Sequence, residues 1–439
     1  MKLARVAVVG GGWAGLAAAI GATQAGQQVT LFEAAHQWGG RARALPCRLS
    51  DGSEVTLDNG QHILIGAYSE TLALMRQVGV NPDATLHRLP LSMLFPDGEG
   101  LRLPDWPMPF DVLAGILGAR GWSLADKWSL LRTTSRWQLN GFQCAASQSV
   151  AEICTGLAPT VMQSLIEPLC VSALNIPPER ASGQVFLRVL KDSLLGGKGS
   201  SNLLLPSTDL SSLFPYAAVD WLDKHGATLH LGQRVENLAH EGSWQVNEQS
   251  FDSVIWATSS TVASQIMAKA TGPEATVRAM RAWSTQAASL RFENIATVYV
   301  EAGDLRLPHP MLALRSSATC PAQFVFDRGQ LGGPSGLLAF VVSASVGERA
   351  TLQQQVLQQA RTQLAEFLKN REILPVTTVV EKRATFACTP DLRRPDQHIA
   401  EGLLACGDYV AGPYPATIEG AVRSGLAAAQ NRLGPFITG

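Results

Sequence analysis

No two cysteines in this chain of 439 residues stand at C-x-x-C spacing. The seven that occur (Cys47, Cys144, Cys154, Cys170, Cys320, Cys388 and Cys406) are scattered singly. That fits reduced thiols better than a disulfide framework or a zinc site. The eight histidines include no H-E-x-x-H or other paired ligand spacing, so no metal centre is expected. Charge of one sign is also missing: the formal net charge is -1, which gives no electrostatic bias toward nucleic acid. Repeats, charge blocks and low-complexity tracts are absent, which sets aside solenoids and disordered tails. No stretch approaches the roughly 18 uninterrupted apolar residues of a spanning helix. The nearest imitation, uncharged from Val6 to Thr23 behind Lys2 and Arg5, is interrupted by Gly10, Gly11, Gly12 and Gly15, which would break a signal-peptide helix. A cytoplasmic protein is expected, soluble or peripheral on the inner face of the membrane.

What is present is 46% apolar residues and 16% charged ones, enough for two domains that each bury a core. Val6 to Val9 reads as a buried parallel strand, Ala14 to Ala25 as a small-residue helix and Gln28 to Glu33 as the next strand. From about Leu72 to Gly199 the pattern turns helical, with a proline-rich break at Leu103 to Pro109. Strand patterns return at Ala227 to Leu231 and at Asp252 to Thr258, the latter around the apolar run Ser253 to Ala257. Val262 to Asp396 mixes strands (Ala296 to Glu301, Leu337 to Ser343, Val376 to Lys382) with a helix from Arg349 to Asn370. The last block has a strand at Leu403 to Cys406, a turn at Gly407-Asp408 and a helix from Thr417 onward. The expected organisation is one nucleotide domain (1–71, 200–261 and 397–439) interrupted by substrate-binding and helical insertions (72–199 and 262–396).

The chemistry is concentrated at the chain ends. In Gly10-Gly11-Gly12-Trp13-Ala14-Gly15, the first glycine makes a tight turn and the second lets the backbone approach a pyrophosphate. The third allows close helix packing. The helix N-terminus then faces the phosphates with free N–H groups and its positive dipole end. A lone G-x-G-x-x-G is weak, but here it joins a strand to a helix. Glu33 ends the next strand about 20 residues on, where a carboxylate accepts ribose hydroxyls. FAD and NAD share this fingerprint, and three further segments favour FAD. Gly39-Gly40-Arg41 offers backbone freedom and guanidinium donors for a second grip on pyrophosphate. Asp58-Asn59-Gly60-Gln61-His62 suits a turn beside the flavin ring. Gly407-Asp408 places a carboxylate for ribityl hydroxyls, and the helix from Thr417 aims its dipole at the flavin pyrimidine. Taken singly, Arg41 or Asp408 reads equally as a surface charge.

Together these segments resemble the flavin amine oxidase and phytoene desaturase superfamily. A closer resemblance, over nearly the whole chain, is to the bacterial hydroxysqualene dehydroxylase family of squalene and hopanoid biosynthesis. It is carried by Leu57 to His62, Pro168-Leu169-Cys170 with Ala173-Leu174-Asn175, Phe324 to Gly329, Glu381 to Ala387, Gly407-Asp408-Tyr409 and Gly412 to Gly425. The resemblance implies an α/β fold: a discontinuous, GR2-type Rossmann-like FAD-binding domain with an inserted α+β substrate domain and a helical region. It implies FAD bound by Gly10, Gly12, Trp13, Ala14, Gly15, Glu33, Gly40, Arg41, Asn59, Gly60, Gln61, His62, Val235, Gly407, Asp408, Thr417 and Ile418. The implied reaction reduces hydroxysqualene, a hydrophobic C30 isoprenoid, to squalene, with hydride from reduced FAD and loss of water.

An allylic hydroxyl leaves poorly unless protonated, and the cation it leaves must be kept from water. His62, Glu419, Tyr414 and Asp327 are the candidate acids. His62 reads equally as a backbone hydrogen-bonder, and Glu419 as a cap of the closing helix or a flavin contact. An apolar tunnel is expected from Trp106, Phe110, Leu113, Ile116, Leu117, Trp122 and Trp128, for which an ordinary core is the plainer reading. A helix from Ser123, capped with Asp126 and carrying Leu124, Trp128 and Leu131 on one face, suits membrane contact, although such faces more often meet a core. No second dinucleotide fingerprint is present, so a separate reductase is the expected electron source. The alternatives are a carotenoid-type desaturase using oxidised FAD, a flavin amine oxidase with Tyr409 and Tyr414 as aromatic walls, and a non-catalytic lipid escort.

Overall fold

A computed structural model describes residues 3–107 and 109–430. The last nine positions of the expected nucleotide domain, 431–439, and Lys2 lie outside the described residues.

Val6 to Val9 are all but inaccessible to solvent, as a strand covered on both faces must be. Arg5–Val9 forms the middle of a six-stranded sheet, in the order Thr228–Leu231, Gln28–Glu33, Arg5–Val9, Ser253–Trp256, Leu403–Ala405, His398–Ala400. The first five are parallel and the last pairs antiparallel. Val8 lies opposite Leu31 on one side and Ile255 on the other. Three blocks far apart in sequence therefore meet in one sheet. The first helix, Trp13–Gln24, packs against the closing helix, Ile418–Gln430, through small residues. A Cβ on Gly425 would stand 2.2 Å from the Ala14 carbonyl oxygen, and one on Gly21 would stand 2.9 Å from the Ala429 Cβ. Such backbone approach leaves room for nothing larger.

The second sheet is antiparallel and five-stranded: Met311–Ala313, Phe324–Asp327, Leu337–Ser343, Phe292–Glu301, Leu374–Phe386. Leu337–Ser343 has its expected bounds, but the strands expected at Ala296 to Glu301 and Val376 to Lys382 are longer, because the antiparallel pairing of Phe292–Glu301 with Leu374–Phe386 satisfies backbone that the apolar pattern alone does not mark. The expected helix from Arg349 to Asn370 is two pieces, Arg349–Gln363 and Ala365–Leu368, with Lys369 at φ +52° terminating the second. The stretch expected to be helical from Leu72 also holds strands. Leu86–Leu89 pairs with Leu203–Pro206, and Ser92–Leu94 with Gly100–Arg102. Strands of three or four residues are too short to display a period.

The expected apolar tunnel residues do not share an interior. Ile116 and Trp122 are buried, but Trp106, Phe110, Leu113, Leu117 and Trp128 are exposed. Periodicity marked an apolar face correctly but could not say which side the fold would cover.

All seven cysteines are free. Among the described residues no helix is long and apolar enough to cross a membrane, and no group of three or more His, Cys, Asp or Glu side chains is arranged to hold a metal ion.

Candidate cofactor site

Gly10 turns the chain off the first strand at φ +114°. A Cβ there would lie 2.7 Å from the Ala257 carbonyl oxygen, and one on Gly15 would lie 1.8 Å from the Gly10 oxygen. Both positions exclude a side chain, so the helix begins hard against the strand end. Gly12 differs. It is the N-cap, with extended backbone and no side-chain cap, and no acidic residue occupies the first turn. The nearest atom to a Cβ there would be the Gly40 Cα, 3.8 Å away. The helix end is thus uncapped, with no backbone or side chain crowding Gly12, which is compatible with an anionic ligand. The Trp13 and Ala14 side chains are buried. Trp13 packs on Phe214 at 4.8 Å and donates Nε1–H to the Ala42 carbonyl at 3.1 Å, so only the backbone here is available to phosphate.

Glu33 closes the second strand with one carboxylate oxygen accepting from the Gly11 N–H and the other from the Ala35 N–H, each at 2.7 Å. It is thereby held beside the glycine turn. The second glycine turn docks on the first: the Gly39 N–H donates to the Gly11 carbonyl at 2.9 Å, and Gly40, at φ +62°, backs onto the Gly12 Cα. Arg41 extends from this turn to Asp408, 2.5 Å away, and donates to the carbonyls of Ala384 at 2.7 Å and Arg383 at 3.3 Å. Burial works against the Arg41 charge, but Asp408, with Glu381 and Tyr409 contributing, raises its pKa above the ordinary value. Asp408 follows Gly407, whose N–H donates to the Ser424 hydroxyl of the closing helix at 2.7 Å.

The turn at 58–62 rests on a buried polar cluster. Asp58 is pushed up to about 6 by burial, against the pull of Arg328 and the Leu210 N–H. Arg328, itself buried, donates to the Gln61 amide oxygen at 3.1 Å and stands 4.0 Å from the Asp58 carboxylate. The Tyr299 hydroxyl donates to the Asp58 carbonyl at 2.9 Å. Asn59 and Arg43 exchange hydrogen bonds at 3.0 and 3.2 Å. A Cβ on Gly60 would meet the His62 ring and the Thr297 hydroxyl at ordinary contact, 3.8 and 3.9 Å. His62 Nδ1 lies 2.7 Å from the Gly60 carbonyl, a contact that needs the proton on Nδ1. Burial holds the His62 pKa below its ordinary value; the Gly60 bond opposes this and Arg41 adds to it.

Thr417 caps the closing helix, its hydroxyl accepting from the Gly420 N–H at 2.9 Å, and Ile418 is the first helical residue. Val235 is buried in a loop beyond the sheet edge. Of the four candidate acids, two are committed elsewhere. Glu419, fully buried, accepts from the N–H groups of Glu70 and Thr71, the Thr71 hydroxyl and Arg423 Nε at 2.7 to 3.1 Å. It caps the helix Ser69–Gln77 rather than its own. Asp327 accepts from the Leu307 N–H and the Gln330 amide at 2.9 and 2.8 Å, pinning the loop that leads into Met311–Ala313. Tyr414 lies between Arg188 and Arg423, 5.6 and 4.9 Å from the ring centre. Its phenol is pushed up by burial and by Asp192.

Arg328, Tyr299 and Thr297, whose hydroxyl lies 3.4 Å from the Gln61 N, were not picked out from the sequence. Arg328 falls in the Phe324 to Gly329 segment, but nothing local ties it to Asp58. Tyr409 is buried with its hydroxyl unpartnered among the described residues, and burial raises its phenol pKa, keeping it a donor. An uncapped helix end, an uncrowded glycine at that end and the orphaned hydroxyl of Tyr409 fit a dinucleotide cofactor.

Residues 13–432 match the flavin containing amine oxidoreductase family. The chain is 27% identical to a hydroxysqualene dehydroxylase of Sinorhizobium fredii, covering 98% of both chains. It is 24% identical to one of Zymomonas mobilis, covering 97% of this chain and 98% of that protein. An oxidoreductase from Methanosarcina mazei has the same fold, with a TM-score of 0.71 at 16% identity over 97% of this chain and all of that one. With a glycine turn, a carboxylate held beside it by backbone N–H groups and a family match spanning nearly all of the chain, the protein belongs to the flavin containing amine oxidoreductase family and is an FAD-dependent oxidoreductase.

Proposed function

We propose that the protein reduces hydroxysqualene to squalene. The observation that carries this reading is the similarity to hydroxysqualene dehydroxylases over almost the full length of both partners, rather than over the nucleotide domain alone. In the balanced reaction, hydroxysqualene and reduced FAD give squalene, water and oxidised FAD. Reduced FAD supplies the hydride.

The chain's own residues hold the cofactor and manage a proton. The uncapped N-terminus at Gly12 and the charged Arg41 hold the pyrophosphate, Glu33 the ribose and Asp408 the ribityl chain. The Asp58, Arg328 and Tyr299 cluster fixes the turn on which Gly60, Gln61 and His62 stand. His62 is the proton donor in this reading. Nδ1 is spent on the Gly60 carbonyl, so protonation at Nε2 gives an imidazolium that donates to the departing hydroxyl. Its depressed pKa makes that imidazolium a stronger acid once formed. Electrons come from a separate reductase.

The test is anaerobic: hydroxysqualene is mixed with the FAD-loaded, chemically reduced protein while flavin absorbance and extracted lipid are followed. Squalene appearing in step with flavin oxidation is the expected result. Persistence of reduced flavin with substrate unchanged would reject the proposal, and desaturation by the oxidised protein would replace it with the reverse chemistry.

A further inference from the structure

The helix Leu124–Leu139 is apolar on two opposite sides. One side, Leu130, Thr133 and Trp137, is buried, with Trp137 Nε1–H donating to the Ile153 carbonyl at 3.2 Å. The other side should then be polar, as on any helix that lies on a domain surface. Instead, Leu124 is 84% exposed, Trp128 69% and Leu139 87%. At 100° per residue these three fall within one narrow stripe, about 22 Å long. The preceding helix, Phe110–Gly118, repeats the pattern with Phe110, Leu113 and Leu117 exposed at i, i+3 and i+7, and Trp106 is exposed just before it. The two helices are tied together: Lys127 Nζ donates to the Leu117 carbonyl at 2.7 Å. The result is a connected apolar surface rather than scattered single residues. Water-exposed patches of this kind on a folded chain mark an interaction surface.

The residues around the patch identify the occupant. Arg120 and Arg132 are exposed in the same stretch, while Lys127 is held by the Leu117 carbonyl. Of the nearby acids, Asp111 is buried, Asp126 is engaged with Ser123 in a capping box and Glu99, which lies against Gly121, is paired with Arg315, while Asp105 is exposed. Two exposed tryptophans, exposed aliphatic residues and a cationic margin are what the boundary between headgroups and acyl chains of an anionic bilayer accommodates. Indole rings settle at that depth, aliphatic side chains go below it, and Lys and Arg remain among the phosphates. A protein partner would call for pockets and a polar rim with paired charges. We propose that the outer faces of Phe110–Gly118 and Leu124–Leu139, with Trp106, form a docking surface that seats the protein in the plane of an anionic membrane. The proposal does not depend on the identity of the substrate.

The test uses the full-length, FAD-loaded protein with phosphatidylcholine vesicles, with and without phosphatidylglycerol, separated by flotation. The wild type floats with the anionic vesicles and less with the neutral ones. The Leu124→Glu/Trp128→Glu double variant partitions more than about tenfold less, since both apolar anchors are replaced by charge. Both residues are highly exposed, so the variant keeps the wild-type flavin spectrum and melting temperature, and Arg120→Gln/Arg132→Gln lowers binding to the anionic vesicles alone. The proposal is overturned if the wild type stays unfloated with both vesicles. It is equally overturned if the double variant floats as well as the wild type, or if the wild type is a dimer that the double variant splits, which would give the face to a second copy of the chain.

Discussion

Arg41 and Asp408 lie 367 positions apart in sequence and meet at 2.5 Å, joining the second glycine turn to the strand end that precedes the closing helix. The pair stands where both residues are proposed to hold FAD. Removing either partner leaves the other charge half-buried or buried and unmatched. Arg41→Ala and Asp408→Ala are each expected to weaken FAD binding by about tenfold or more, read from flavin retention through gel filtration and by fluorescence titration. The double variant is expected to be no weaker than the worse single one, because coupled residues are not additive.

Gly12 and Gly15 separate ligand space from packing. Gly15→Ala places a Cβ 1.8 Å from the Gly10 oxygen and is expected to lower the melting temperature of the protein even without FAD, a cost of about 2 kcal/mol or more. Gly12→Ala meets no atom closer than 3.8 Å. It should melt normally without FAD yet bind the cofactor poorly, because the methyl group takes the space meant for pyrophosphate. Equal FAD affinity in Gly12→Ala and wild type would remove Gly12 from the site.

Glu419 is expected to act on stability and not on chemistry. Glu419→Gln keeps the shape but discards the charge that caps Ser69–Gln77 and pairs with Arg423. A loss of about 1 to 3 kcal/mol in chemical denaturation is expected, with kcat retained at low temperature. A collapse of kcat with unchanged stability would restore Glu419 to the list of acids.

Asp58 gives the fold a pH dependence of known sign. Its folded pKa of about 6 exceeds the ordinary 3.8, so between those values the folded state binds more protons than the unfolded one. The stability it contributes is complete below 3.8 and is lost as pH rises through about 6, on the order of 3 kcal/mol in all. Asp58→Asn should flatten that segment of a plot of stability against pH. An unchanged slope would mean that Arg328 compensates the buried carboxylate fully.

His62 gives the chemical step a pH dependence of the same direction. Its pKa is held below the ordinary histidine value, so it is neutral at pH 7. Single-turnover flavin oxidation by substrate should therefore accelerate as pH falls below neutral and level off below the depressed pKa. His62→Gln should lower the rate by about a hundredfold or more and abolish that slope. If the slope survives the substitution, another group delivers the proton.

The parts of the fold that were legible are the ones whose causes are local. Val6 to Val9, Gly10 to Gly15 and Gln28 to Glu33 lie within one βαβ unit, where apolar runs and glycine spacing dictate strand, turn and helix over a few residues. Arg328 was invisible as a site residue because its partners, Asp58 and Gln61, lie some 270 positions earlier and only the second sheet brings them together. Glu419 was misplaced for a related reason. An acid in the first turn of a helix suggests a cap of that helix, and only packing reveals the neighbouring helix end that it serves.

The sequence by itself determined the nucleotide-binding start, the choice of FAD as cofactor and the near absence of net charge, since backbone freedom, residue chemistry and local periodicity suffice for these. The tertiary structure alone decided that Arg41 meets Asp408, that Asp58 is buried against Arg328, and that Trp106, Phe110, Leu124 and Trp128 face outward rather than into a tunnel. Burial and pairing are properties of what lies opposite a residue. In a chain interrupted twice before its sheet is complete, the opposite residue is seldom a neighbour in sequence.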